Sequence, residues 1–261
     1  MSRAASARGR TGSAPSGGSF SRNLHDYFWR SSSPLTVLLF LLPLIILYEI
    51  GTRYYASDWV RHTETRVLAF NLMRQFLGLF GATGQYLPCM AVVGILLAWH
   101  IARKDPWDLH VGTAGMMLLE SCLLAIPVLA LGNIVGYMLP LYTPTDAWKS
   151  GVVLGIGAGI YEELIFRLMA FTLLDILLVD LLQINRRSAL IVIAFSSSIL
   201  FAAYHYWSPQ SDLFRWRDFI FRTLAGLYFG VLFLVRGFGV TAGSHTAYDV
   251  MYFALRAVAL R

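Results

Sequence analysis

Long apolar runs separated by short polar breaks dominate the chain. They extend from Leu35 to about Tyr54, Tyr86 to Ile101, Val111 to Leu139, Ala189 to Trp207, Phe219 to Val235 and Val240 to Val258. Each approaches or reaches the roughly 20 residues that an α-helix needs to cross a bilayer. A transmembrane barrel would instead alternate apolar and polar positions over segments of about ten residues. The pattern predicts an all-α polytopic transmembrane bundle of about seven or eight helices.

Two stretches depart from the simple crossing. Residues 66 to 82 mix Arg66, Asn71, Arg74 and Gln75 with Leu, Phe and Met, which suits a helix lying at the interface. Residues 150 to 183 are too long for one helix and too short for two crossings, so a long tilted or broken helix is expected there. Its Gly151, Gly155, Gly157 and Gly159 permit close helix contact, or a break just ahead of Tyr161.

Composition agrees with lipid as the main solvent: 57% of the 261 residues are hydrophobic, 14% are charged and the mean hydropathy is +0.59. That leaves one bundle over residues 31–261. Residues 1 to 24 are rich in Ser, Gly, Ala and Arg and contain no acid, so residues 1–30 read as a disordered basic N-terminal tail. The same composition fits an organellar transit peptide. The Leu35 run is followed by no small-residue cleavage site and reads as a retained anchor.

The net charge of +6 fits topology and contact with lipid headgroups rather than nucleic acid. Arg3, Arg8, Arg10, Arg22 and Arg30 put the N-terminus in the cytoplasm, with Arg103, Lys104, Arg186 and Arg187 at later cytoplasmic turns. Cys89 and Cys122 lie in apolar stretches without a CxxC spacing and read as buried thiols.

Ionisable groups at membrane depth each need a partner or a function. The densest group is Tyr161-Glu162-Glu163-Leu164-Ile165-Phe166-Arg167. Glu163 and Arg167, four apart on a helix, can form a structural ion pair. Glu162 points about 100° away and is left free to react. A second group is Phe201-Ala202-Ala203-Tyr204-His205, and a third is His245-Thr246-Ala247-Tyr248-Asp249. There Asp249 can fix the tautomer of His245 or of a neighbour. Of the other acids, Glu120 reads as paired within the bundle, and Asp175 and Asp180 as near an interface or a polar cavity. His25, His62, His100 and His110 read as interfacial. Trp207, Phe214 and Trp216 suit membrane belts, a lid or a substrate entrance.

Glu-Glu-x-x-x-Arg, then Phe-x-x-x-His, then His-x-x-x-Asn or Asp, in that order, resembles the CAAX prenyl endopeptidase and bacteriocin-processing family of intramembrane proteases. The resemblance covers a protease-like core at about residues 110–258. Asp249 stands where eukaryotic members usually carry Asn. The resemblance implies an intramembrane endopeptidase in which Glu162 is general base for a water, while His205 and His245 polarise the carbonyl and stabilise the oxyanion. That gives Glu162, His205, His245 and Asp249 as catalytic residues. Membrane lipid and a protein or peptide substrate are the implied partners, and a bacterial cytoplasmic membrane is the implied location. The chemistry is sound, because a desolvated carboxylate can take a proton from water and imidazoles can donate to developing charge.

No cofactor is expected, although Glu162, His205 and His245 would also make a zinc site. The sequence contains no His-Glu-x-x-His and no Gly-x-Gly-Asp, and Gly243-Ser244-His245 lacks the Ser-Gly context of a rhomboid nucleophile. The rival reading is a proton-coupled transporter or a non-catalytic membrane partner. A transporter should show an internal hydropathy repeat, and none is convincing.

Overall fold

The computed structural model describes residues 17–58, 63–136, 147–207 and 213–259. Helices α1 (Gly17–Ser31), α2 (Pro34–Tyr55), α3 (Leu68–Gly78), α4 (Leu87–Arg103) and α5 (Val111–Val135) form the first part. Two-residue strands β1 (Ser57–Asp58) and β2 (Thr63–Glu64) pair between α2 and α3. The second part contains α6 (Ala147–Glu163), α7 (Ala170–Asp175), α8 (Arg186–Tyr204) and α9 (Trp216–Ala259). The architecture is the all-α bundle the apolar runs predict.

Among the described residues four helices, α2, α5, α8 and α9, are long and apolar enough to cross a membrane, and α4 is a shorter apolar helix. Their outer faces carry large apolar side chains such as Leu119, Ile126, Ile134, Val192 and Leu200. In water such a surface would be unfavourable, whereas lipid is its natural solvent. The molecule is an integral membrane protein.

Local sequence explains several boundaries. Pro34 opens α2, where its missing N–H is harmless. The side chain of Asn185 accepts from the N–H of Arg187 at 3.0 Å and caps α8. Gly136, at φ 70°, ends α5 in the left-handed conformation.

The 150 to 183 stretch is irregular, as its length predicts, but not ahead of Tyr161. Instead α6 runs unbroken to Glu163 and widens into π-helical turns at Leu164–Met169 and Ile176–Leu181, on either side of α7. Such turns are rare and recur at functional sites. The hydroxyl of Ser197 on α8 donates to the carbonyl of Phe166 at 2.6 Å, providing a partner within the first of them.

The glycines of α6 serve contact instead of a break. A Cβ at Gly151, Gly155 or Gly159 would lie 2.5 Å or less from Phe253, Asp249 or Thr246 respectively, all on α9. At Gly159 the conflict includes the backbone nitrogen of Thr246, at 2.5 Å. Spaced four apart, these glycines form a seam that lets α6 approach the α9 backbone.

Helix α9 contains the last two apolar runs and folds back at Gly237, whose φ of 77° and ψ of −178° interrupt the helix. Phe229 and His245, each eight residues from that glycine, stack at 4.7 Å with their rings 16° apart. This hairpin returns His245 toward the middle of the bundle.

The N-terminal stretch also departs from expectation. Residues 17–31, assigned by composition to a disordered tail, form α1; residues 1–16 lie outside the described set. Tyr27 donates to Glu120 at 2.5 Å, and Glu120 accepts two bonds from Arg236, at 2.6 and 2.8 Å. Arg236 also lies over the Phe28 ring at 4.2 Å. Glu120 is thus paired within the bundle. His100, expected at an interface, is fully buried edge-on to Trp107, 4.5 Å between centroids; His62 lies outside the described residues.

Candidate active site

Glu162 and Glu163 end α6, His205 follows the last residue of α8, and His245 and Asp249 lie on the return arm of α9. The glycine seam brings the first and last of these elements together, since Gly159 touches Thr246, the residue after His245. A cavity of about 130 Å³ lies among them. Glu162, His205, His245 and Asp249 all line it, together with Arg222 and Phe229.

The two imidazoles converge on one carboxylate oxygen. Nε2 of His205 lies 4.0 Å from Oε2 of Glu162, and Nε2 of His245 lies 3.9 Å from the same atom. His205 is anchored through Nδ1, 2.8 Å from the carbonyl oxygen of Phe201. His245 is anchored through Nδ1, 2.7 Å from Oε1 of Glu163. Carbonyls and carboxylates only accept, so each Nδ1 donates. A neutral ring then presents a lone pair at Nε2, and it donates there only when doubly protonated.

Glu163 and Arg167 pair as the spacing predicts, with Oε2 3.1 Å from Nε and both side chains fully buried. Nη2 of Arg167 donates to the carbonyl of Gly226 at 2.9 Å, and its guanidinium lies 4.6 Å from the centroid of the Phe201 ring. Glu163 does more than the expected structural pair, because its other oxygen holds His245. The tautomer-fixing bond assigned to Asp249 is made by Glu163: Oδ2 of Asp249 approaches the opposite nitrogen, Nε2, and only to 3.7 Å. The i,i+4 spacing correctly gives the proximity of Asp249 and His245, but the shorter contact comes from a neighbouring helix.

Three residues at the site, two in the cavity wall and one behind it, lie outside the motif roles. Arg222 carried a signal, a cation inside an apolar run. Phe229 and Tyr204 carried none, since aromatics suit any membrane core. Tyr204 reaches Glu162 itself, donating to Oε1 at 3.4 Å. Of the aromatics assigned to a lid or entrance, Phe214 packs on Tyr206 and Trp216, each at 5.1 Å, while Trp207 is exposed. The loop between them, 208–212, lies outside the described residues.

Among the described residues, no group of three or more His, Cys, Asp or Glu side chains is gathered closely enough to hold a metal ion. Ligands of one tetrahedral zinc, at about 2.0–2.1 Å from the metal, would sit closer to each other than the 3.9 and 4.0 Å seen here. The donor types and the Nδ1 anchoring nevertheless suit zinc, whose histidine ligands are commonly held through their other nitrogen.

Residues 144–251 match the family model of the type II CAAX prenyl endopeptidases, Rce1-like. The matched segment contains all three motifs and bears out the resemblance they carry. The match covers less than half of the chain and, with the apolar helices, makes it similar to membrane-embedded proteases of the CAAX type. No curated protein and no solved structure matches the chain.

Proposed function

We propose that the protein is an intramembrane endopeptidase that hydrolyses a peptide bond in a membrane-associated or hydrophobic protein substrate, with Glu162 as the general base. The observation that carries this reading is the approach of both Nε2 atoms to one oxygen of buried Glu162, at 4.0 and 3.9 Å. That spacing is too long for a direct hydrogen bond and suits a bridging water. The match of residues 144–251 supports the substrate class.

In this mechanism Glu162 takes a proton from the water as its oxygen bonds to the carbonyl carbon. His245 carries both ring protons, balanced by Glu163 at Nδ1, and donates from Nε2 to the oxyanion. His205, with Nδ1–H given to Phe201, accepts the water's second hydrogen at Nε2 and orients the attack. This role differs from the oxyanion donor implied by the resemblance. Collapse of the intermediate breaks the C–N bond, and the proton held by Glu162 passes to the leaving amine. Asp249 keeps Nε2–H of His245 turned toward the cavity.

A second reading follows from the Nδ1 anchoring, which leaves neutral rings with lone pairs suited to metal. Glu162, His205 and His245 would then hold zinc, which supplies an acidified water when bound. The arginine distribution supports a cytoplasmic N-terminus, and the resemblance to bacterial members supports a bacterial cytoplasmic membrane.

Purified Glu162→Gln, assayed on an internally quenched, prenylated CAAX peptide in proteoliposomes, tests the assignment. Cleavage should fall on the order of a hundredfold or more with the fold retained. Undiminished cleavage would remove Glu162 from the mechanism.

A further inference from the structure

The two oxygens of Glu162 have different surroundings. Oε2 faces the imidazoles, and Oε1 accepts from the hydroxyl of Tyr204 at 3.4 Å. Tyr204 closes α8 immediately before His205 and is buried, yet it is not part of the cavity wall. It reaches the carboxylate from behind. Its ring is edge-on to Phe166 and to the His205 imidazole, 5.1 Å from each. Phe166 belongs to the π-helical turn that follows Glu163. Tyr204 therefore bridges the turn next to the base and the helix end that presents His205.

A carboxylate only accepts, so the hydroxyl of Tyr204 is the donor and its O–H points at Glu162. Packing alone requires no hydroxyl here, since phenylalanine would fill the space against Phe166 equally well. A buried hydroxyl is otherwise unfavourable unless it is hydrogen-bonded.

We propose that Tyr204 is a positioning residue, which fixes the rotation of the Glu162 carboxylate so that one oxygen is held and the other is kept for the water between the imidazoles. The proposal rests on Glu162 being the base. Without the hydroxyl the carboxylate can turn, and a rotated base loses the near-attack geometry on which proton abstraction depends. Substrate binding does not use this contact, because Tyr204 lies behind the cavity wall.

The test compares wild type, Tyr204→Phe, Glu162→Gln and the double variant on the quenched prenylated peptide in proteoliposomes, with thermal unfolding of each. Tyr204→Phe should lower kcat on the order of tenfold, with KM unchanged and the unfolding midpoint retained. In the Glu162→Gln background the same change should have no further effect. Installing 4-aminophenylalanine at position 204, which restores a donor, should recover kcat. A Tyr204→Phe enzyme with wild-type kcat, or one altered only in KM, overturns the positioning role while Glu162→Gln separately reports on the base. If Tyr204→Phe fails to fold, the 4-aminophenylalanine protein decides: retained kcat supports the role, and a folded protein without activity overturns it.

Discussion

The carboxylate of Glu163 accepts a hydrogen bond from Nδ1 of His245 at 2.7 Å while its other oxygen faces Arg167 at 3.1 Å. One buried acid therefore compensates a fixed cation and sets the protonation pattern of the imidazole beside Glu162. Stability and chemistry meet in this residue.

Glu163→Gln should damage both. Removing one partner of a buried ion pair is expected to cost about 3–5 kcal/mol, because Arg167 is left uncompensated. The neutral amide also ceases to balance a doubly protonated His245, so turnover of the folded fraction should fall as well. The measurements are unfolding in detergent and kcat normalised to folded protein. Full kcat per folded molecule would confine Glu163 to a structural role.

Asp249→Asn gives the residue usual in eukaryotic members, and the amide keeps an oxygen near Nε2 of His245 while adding a donor. Cleavage should stay within roughly tenfold of wild type, as expected for exchange of one hydrogen-bonding group for another. Asp249→Ala removes both and should lose more. Equal losses in the two variants would show that the charge of Asp249 is what matters.

Metal dependence separates the two readings of the imidazole pair. With Glu162 as base, prolonged chelation should leave cleavage intact, and added zinc should inhibit by occupying His205 and His245. Elemental analysis beside the activity assay, before and after chelation, provides the comparison. Stoichiometric zinc whose removal abolishes cleavage and whose return restores it would establish the zinc mechanism with the same residues.

Gly159→Ala probes the helix seam. Its Cβ would lie 2.5 Å from the backbone nitrogen of Thr246, and backbone cannot turn aside as a side chain can. The expected destabilisation is roughly 1–3 kcal/mol, with loss of kcat because α6 moves Glu162 away from His245. Unfolding and kinetic assays should therefore report together, and an unchanged unfolding midpoint would count against the tight seam.

The crossing helices were legible because lipid demands long apolar runs. Helix α1 was not, since its order depends on Tyr27, Glu120 and Arg236 meeting across the bundle, which local composition does not encode. The motif positions of Glu162, His205 and His245 were readable as types and order. The bond from His245 to Glu163 joins positions 82 apart, and no helical periodicity reports such a pairing. Spacing favoured Asp249 because helical periodicity pairs only neighbours three or four apart on the same helix.

The fold-back at Gly237 also divides assembly into a local and a distant step. Phe229 and His245 are brought together within one helical hairpin, a low-contact-order event of the kind that forms quickly. Glu162 lies on a separate helix, far earlier in the chain, and must arrive by lateral association of segments already in the bilayer. His245 and the Phe229 ring stacked on it can thus be in place before Glu162 is docked. What completes it is recognition between two smooth helix surfaces, so the glycines of α6 govern when the newly made protein becomes competent.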